Sequence, residues 1–319
     1  MNRSASALLL VLWLTMALAL LVSVFAYAVN QEIQWTSWHR KKDEAGVLAK
    51  SALQYLPKLL EDQRKEAAYG GKPPENQFDP EKFTGFWQSK DFGLGRGKFR
   101  LAVRDVEQKI NVNAAPKELW ENFLHFTKLS QDDARDWVDS LADWKDPNDA
   151  VHLNGAEDEF YSRQSPPYRA KNAPVTTLGE LLWVRKGHEI LSARLDPEIT
   201  GRPERVMDHL TVEGNGKINV NTAPLIVLAS LGHIDIATAE KWLKDRNGPD
   251  GVPGTDDDKP LDSQIFQAGQ TNGMVTTQSE YFIVEGVGEV GGVRASRRGL
   301  FRNEGGQLKK IKDLTEQDS

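Results

Sequence analysis

The chain has 319 residues, a formal net charge of −6 and no cysteine. An acidic balance argues against a nucleic-acid binder, which concentrates Lys and Arg on one face, and the lack of cysteine removes disulfides, thiolate metal sites and Cys nucleophiles. Hydrophobic content of 39% and charged content of 27% are ordinary for globular protein and leave room for two modest domains beyond any membrane segment.

The first element is the uncharged apolar run from Ala7 to Val29. As a helix it covers about 34 Å, against a hydrocarbon core of about 30 Å, so it reads as a membrane span. The only charges before it are Arg3 and the amino group, and the positive-inside tendency then leaves the short N-terminus in the cytoplasm and the remainder outside. A secretory signal peptide ending at the small-x-small triplet Ala26-Tyr27-Ala28 is the competing reading, but the run exceeds the roughly 7–15 residues of a signal core. A helical pattern also continues: from Glu32, apolar residues fall mostly three or four apart at Trp35, Trp38, Val47, Leu48, Ala52, Leu53, Leu56, Leu59 and Leu60. One long helix follows, with Pro57 expected to kink or interrupt its last turns. Trp35 and Trp38 are equally candidates for partner contacts and for the chain's own core.

Paired Gly and Pro after Tyr69 mark a loop. Phe83–Trp87 and Gly97–Val106 carry the β-branched and aromatic residues of antiparallel strands, as do Ser279–Gly286 and Val290–Arg302, with the glycines from Gly286 to Gly292 making the second connection. The polar residues Glu304 to Ser319 read as a frayed tail.

Between these sheet regions lies a repeat. Lys109-Ile-Asn-Val-Asn-Ala-Ala-Pro recurs as Lys217-Ile-Asn-Val-Asn-Thr-Ala-Pro. Each copy precedes two helical patterns, Lys117–Phe126 and Gln131–Trp144 after the first, Leu225–Leu231 and Ala237–Lys244 after the second. Pro116 and Pro224 suit a first helical turn, and Asn113 and Asn221 are expected to accept N–H bonds near the helix start. Helix-hairpin-helix DNA modules open similarly, but they hold phosphate with a Gly-x-Gly hairpin. Gly232-His-Ile-Asp and Lys128-Leu-Ser-Gln lack it.

The segment after the first helical pair collects Asp143, Asp146, Asn148, Asp149, Glu157 and Asp158 among turn residues. Carboxylates converging without a basic partner repel one another, and a calcium ion taking six to eight oxygens relieves that. The alternative is a solvated acidic loop with ordinary Asx turns. Asp256 and Asp258 form a weaker second candidate. No His-Glu-x-x-His, Gly-x-Ser-x-Gly or phosphate-loop pattern accompanies His152 or His188, so no enzyme chemistry is read here.

The opening Ser6-Ala-Leu-Leu-Leu-Val-Leu-Trp, the paired Asn-Val-Asn blocks, Asp143-Trp-Lys-Asp-Pro-Asn, Leu153-Asn-Gly-Ala-Glu-Asp, Pro166-Pro-Tyr-Arg-Ala-Lys-Asn and Val290-Gly-Gly-Val together resemble the type II secretion minor pseudopilin K family, over nearly the whole chain. The resemblance implies an α+β fold. A pilin-like core, with a long N-terminal helix against an antiparallel sheet, carries a large inserted helical domain of two SAM-like units. Residues 1–5 would be a prepilin leader and 6–29 the span. The core would take 30–108 and 276–303, the insertion 109–275 with units at 109–205 and 217–265, and a polar tail 304–319.

The resemblance also implies a non-enzymatic place at the tip of a periplasmic pseudopilus. Its partners would be the other minor pseudopilins H, I and J, prepilin peptidase, the secretion assembly platform and the inner membrane, with no nucleic acid. Calcium in the inserted domain is a further family trait. Cleavage would fall between Ala5 and Ser6, although prepilin peptidase usually cuts after Gly, and would put Leu10 at the fifth mature position, where most pilins carry Glu. A tip subunit has no neighbour above to neutralise such a Glu, so Leu fits there. The alternative function is a soluble periplasmic binding module, for nucleic acid or another ligand, released after Ala28.

Overall fold

The computed structural model describes residues 3–68, 85–232, 234–251, 253, 257–262 and 273–315. Helix α1 (Arg3–Ala68) runs 66 residues and continues through Pro57 without the expected interruption. Leu56 and Leu60, on either side of that proline, are buried, so packing holds the turns that lost a hydrogen bond. The helix contains a segment long and apolar enough to cross a membrane. Every residue from Leu10 to Arg40 is exposed, including Trp35 at 64% and Trp38 at 40%, so neither tryptophan belongs to the core.

Burial starts at Ala45 and recurs at Leu48, Ala49, Ala52, Leu53, Leu56 and Leu60, one stripe of an amphipathic helix. This stripe lies on a six-stranded antiparallel sheet. Its strands are β1 (Phe86–Gln88), β2 (Phe92–Leu94), β3 (Gly97–Asp105), β8 (Tyr281–Val290), β9 (Val293–Glu304) and β10 (Gln307–Leu314). Strand order is β1-β3-β8-β9-β10, with β2 pairing β3. Phe99, Leu101, Val103, Phe282, Val284 and Phe301 meet the helix. Gly286 and Gly288 let it approach closely, since a Cβ at either would collide with the carbonyl oxygens of Ala49 or Ala45.

Two strand expectations are corrected. Strand β8 runs through Gly286 and Gly288 to Val290, leaving only Gly291-Gly292 as the turn, because those earlier glycines serve the helix contact rather than a loop. Residues 307–314 are the edge strand β10, not a frayed tail. Gly305-Gly306, both with positive φ, make a tight hairpin, and Leu308 is buried against the core. Phe83 and Thr84 lie outside the described residues.

The helical insertion has its own hydrophobic core around Trp120, Phe123, Trp137, Leu141, Tyr161, Leu181 and Val227. Its elements are β4 (Ile110–Asn111), α2 (Lys117–His125), α3 (Gln131–Lys145), α4 (Asp158–Tyr161), α5 (Gly187–Ser192), α6 (Pro197–Thr200), β5 (Leu210–Thr211), β6 (Ile218–Asn219), α7 (Leu225–Ala229), α8 (Ile236–Arg246) and β7 (Val275–Thr276). Both copies of the repeat begin on a two-residue strand that closes in parallel with a later one. Ile110 pairs with Leu210, and Ile218 with Val275. The parallel pairs thus close the units at Thr211 and Thr276, beyond the ends at 205 and 265 that the resemblance implies.

The asparagines of the repeat do different work from that expected. Asn111 and Asn219 form the turns, their Oδ1 atoms accepting from the N–H of Asn113 at 2.9 Å and of Asn221 at 2.9 Å. Asn113 and Asn221 do not start the helices; Pro116 and Pro224 hold those positions. Instead each clamps a distant segment. Asn113 donates to the Val175 carbonyl at 2.9 Å and accepts from its N–H at 2.8 Å. Asn221 accepts from Leu261 N–H at 2.7 Å and donates to the Thr277 carbonyl at 3.1 Å. An amide has the same donor and acceptor as a backbone unit, so it stands in for a strand residue, a role local spacing does not reveal.

Candidate metal centre and the junction of head and sheet

Helix α3 is capped by Ser130, whose hydroxyl accepts from Asp133 N–H at 3.0 Å, and it ends where Lys145 leads into Asp146. Its last turns carry Asp139 and Asp143, four apart and therefore on one face. Both are buried, and both hold the loop that follows. Asp139 accepts from the backbone and side chain of Asn154 and pairs with Lys117. Asp143 accepts from His152 N–H at 3.1 Å and bonds the His152 ring. A side chain at Gly155 would strike the Asp143 carboxylate, so this close approach requires glycine.

Asp143, Asp146 and His152 bring ligand atoms within 4.8 Å of one another. Asp146 Oδ1 accepts from Asn148, whose own Oδ1 accepts from Ala150 N–H at 2.8 Å, so Asn148 is an Asx-turn residue. Asp149 accepts from the Asn172 side chain at 3.0 Å. Asp158 turns away, accepting from Ala170 N–H at 2.9 Å beside Arg169. Glu157 is only 4% exposed, and neither of its carboxylate oxygens has a hydrogen-bond partner. Burial, reinforced by the charges of Asp143, Asp146, Asp149 and Asp158, pushes its pKa up to about 7. The buried Oδ1 of Asn172 is likewise without a partner.

Oxygen donors left unpartnered beside three further carboxylates are what a hard divalent cation requires. The residues present therefore fit calcium, with Glu157 and Asn172 the atoms most in need of it. Sequence reasoning placed the carboxylates in one segment but missed His152 as a neighbour of Asp143, and missed Asn172. The signal for Asn172 was its place in the Pro-Pro-Tyr-Arg-Ala-Lys-Asn block.

For the second acidic stretch, Asp256 lies outside the described residues. Asp258 acts electrostatically on Arg246, a buried guanidinium that donates to the carbonyls of Val220 and Ala223, and whose pKa burial lowers to about 10. A carboxylate answering a buried cation does not need a metal.

A third acidic group escaped the sequence reading entirely. Asp105, at the end of β3, is 2% exposed and accepts from the hydroxyls of Ser279 and Thr222 and from Glu107 N–H at 2.8 Å. Ser279 in turn accepts from Asn219 Nδ2 at 2.6 Å. One buried carboxyl thus ties the sheet to the second helical unit, and burial raises its pKa. Glu107, equally buried, accepts from Glu280 N–H at 3.0 Å through Oε2, while Oε1 has no hydrogen-bond partner. Its pKa is pushed up to about 8, chiefly by burial and further by the Asp105 and Glu280 charges.

With this geometry in place, known proteins supply the context. Residues 99–204 match the family model described as type II secretion system protein K. Type II secretion system protein K of Aeromonas hydrophila is 26% identical over 240 residues, 67% of this chain and 70% of its own length. The Pseudomonas aeruginosa protein K is 27% identical over 190 residues, covering 56% of this chain and 53% of its own. The fold matches a chain of the GspK-GspI-GspJ complex from the enterotoxigenic Escherichia coli type 2 secretion system. The TM-score is 0.52 and the identity 17%, over 90% of this chain and 98% of that one. That likeness bears on the fold: a long helix on an antiparallel sheet with a helical insertion. The reading as a released binding module gains no support from these relatives. Through residues 99–204 and these relatives, the chain is similar to the type II secretion system protein K family.

Proposed function

We propose that this protein is a minor pseudopilin at the tip of the type II secretion pseudopilus, supporting export of folded proteins across the outer membrane. The observation that carries this reading is the division of α1. The side chains from Leu10 to Arg40 are all exposed, while its second half is sealed onto the sheet. A bare apolar helix below a finished domain suits lateral packing first with lipid and then with the helices of neighbouring subunits. The helical head, mounted on the sheet, adds bulk that an ordinary pilin fold lacks, and would block addition of a further subunit above it.

By analogy with the complex that its structural relative forms, the partners are the minor pseudopilins I and J, with H, prepilin peptidase and the assembly platform as further contacts. The N-terminus faces the cytoplasm and the head the periplasm. The role is structural rather than enzymatic. Trp35 and Trp38, stacked with ring centroids 6.0 Å apart and exposed, are contact residues for those helices.

Export of the cognate secreted protein in a deletion strain tests this. The full-length chain restores it and co-purifies with I and J, and the mature protein begins at Ser6. A mature start near Val29, or full export without the chain, sinks the assignment.

Calcium has a structural part here: Asp143, Asp146, Asp149, Glu157 and the Asn172 carbonyl would hold it, neutralising a loop that otherwise concentrates negative charge. Native mass spectrometry with and without chelator checks this. A cation present at about 100 times its Kd adds about 2.7 kcal/mol, enough to raise the melting temperature measurably. Glu157→Gln and Asp143→Ala with Asp149→Ala should abolish that response, and an unchanged melting temperature on chelation removes calcium from the account.

A further inference from the structure

A pocket of about 540 Å³ opens beside α1 at the end of the sheet nearest the apolar segment. Ala49 lies against Gly286, Ala45 against Gly288 and Lys41 against Gly291, so α1 descends along β8 toward the Gly291-Gly292 turn and continues past it. The turn at Gly95-Arg96 between β2 and β3 reaches the same end, since Gly97 abuts Glu289 and Val290. Arg96 forms one wall of the pocket, and α1 forms the other from Val29 to Glu44. Ile33, Ser37, Arg40 and Glu44 recur three or four residues apart and share a face of α1 that holds neither Trp35 nor Trp38.

The pocket changes character along its length. Val29 ends the apolar run, and Ile33 lies about 6 Å above it, a rise that crosses the headgroup layer on one side of a hydrocarbon core of about 30 Å. Beyond it stand Arg40, Lys41 and Arg96. Glu44 is engaged by Arg40 at 3.1 Å, and Glu32 is the pocket's other acid. Among the described residues no carboxylate lies within ion-pair distance of Lys41 or Arg96.

We propose that this pocket holds the headgroup of an anionic glycerophospholipid, taken from the leaflet on the domain's side of the membrane, with its phosphate between Arg96 and Lys41. The inference rests on the reading of Ala7 to Val29 as a membrane span. That span keeps the pocket at the bilayer surface, where lipid is always at high effective concentration. Arginine and lysine stems snorkel toward phosphate, and the guanidinium fork matches two of its oxygens. Below them Val29 and Ile33 offer apolar surface to the start of the acyl chains. Each basic side chain close to an anionic surface contributes about fivefold in affinity. A lipid held in this way braces the lower end of the sheet against the membrane.

The test is native mass spectrometry of the full-length chain in detergent micelles, titrated with phosphatidylglycerol or with phosphatidylcholine of the same acyl chains. Phosphatidylglycerol should bind at least about fivefold more tightly. Arg96→Gln and Lys41→Gln should each weaken it about fivefold and leave phosphatidylcholine unchanged, whereas Glu32→Gln should strengthen it by removing a repelling charge. Equal affinity for the two lipids overturns the proposal, as does a preference that survives the two cation substitutions together. Displacement of phosphatidylglycerol by inorganic phosphate alone would make this a phosphate site and overturn the lipid assignment. So would an Arg96→Gln chain that keeps the lipid preference but no longer co-purifies with minor pseudopilin I, because the pocket would then serve a neighbouring subunit. Carbonate extraction of membranes separates this inference from the reading beneath it. A chain washed free loses both, while a chain retained without lipid preference loses only the headgroup site.

Discussion

The two helical units start from nearly the same eight residues and end with different jobs. In each, an asparagine makes the turn, a second asparagine clamps a returning segment, a proline opens the helix, and a short parallel strand pair closes the unit. The difference lies in what is clamped. Asn113 holds Val175, and the span between encloses the acidic loop and the unpartnered Glu157. Asn221 holds Leu261 and Thr277, and its neighbours Asn219 and Thr222 reach the Asp105 junction with the sheet. One scaffold thus serves a candidate ligand site in the first unit and attachment in the second, so damage to each should read out differently.

The largest expected effect is at the attachment. Asp105→Ala strands the hydroxyls of Thr222 and Ser279 and the Glu107 N–H in a buried site, and should destabilise the full chain by about 3–5 kcal/mol in denaturant unfolding. The calcium response proposed for the acidic loop should be untouched, because no junction residue belongs to that loop. A matching loss of calcium affinity would show that the units are not independent.

The junction should also respond to pH. The ordinary pKa of Glu107 is 4.5 and its folded value about 8, so the folded chain holds this proton more tightly than the unfolded one. The associated stability is complete below about pH 4.5, declines as pH rises, and is lost above about pH 8, an effect of a few kcal/mol at most. Glu107→Gln should flatten that decline between pH 5 and 8. An unchanged slope would mean that Glu107 is ionised when folded.

Much of this architecture was legible in the sequence because it rests on local signals. The span, the helical repeat and the strands at each end all follow from apolar runs, periodicity and turn residues. What stayed hidden depends on pairing across long separations. Asp105 looked like the polar end of a strand, yet its partners lie 117 and 174 residues away. Asn113 reads as a cap until Val175 is placed beside it. The tail was misread because its alternating lysines suggest solvation, whereas Leu308 and the Gly305-Gly306 turn make it an edge strand, and lysines are what such an edge carries.

A smaller pair of effects separates the clamps. Asn113→Ala and Asn221→Ala each leave backbone groups of the returning segment without partners, at about 1–3 kcal/mol in thermal or denaturant unfolding. Only Asn113→Ala should also weaken the proposed calcium binding in a titration, since Asn172 lies three residues before the Val175 it holds. Equal losses of affinity in both variants would contradict the division of labour between the units.

The smallest effect concerns β10. Lys312 reaches out of the sheet to Glu213 of the helical unit at 2.7 Å, with Glu213 largely buried and Lys312 about half exposed. With the ammonium half in water the pair is screened although Glu213 is buried, and a glutamine amide can still donate to that carboxylate, so Lys312→Gln should shift global unfolding by about 1 kcal/mol. Its local consequence is more telling. If this pair anchors the edge strand to the head, amide hydrogen exchange in residues 307–314 should quicken in Lys312→Gln while β8 keeps its protection, because an edge strand can open without unfolding the sheet. Exchange that stays the same in both strands would leave the β9 pairing and the buried Leu308 as what holds β10, and the head would then be fastened to the sheet through the Asp105 junction rather than through its edge.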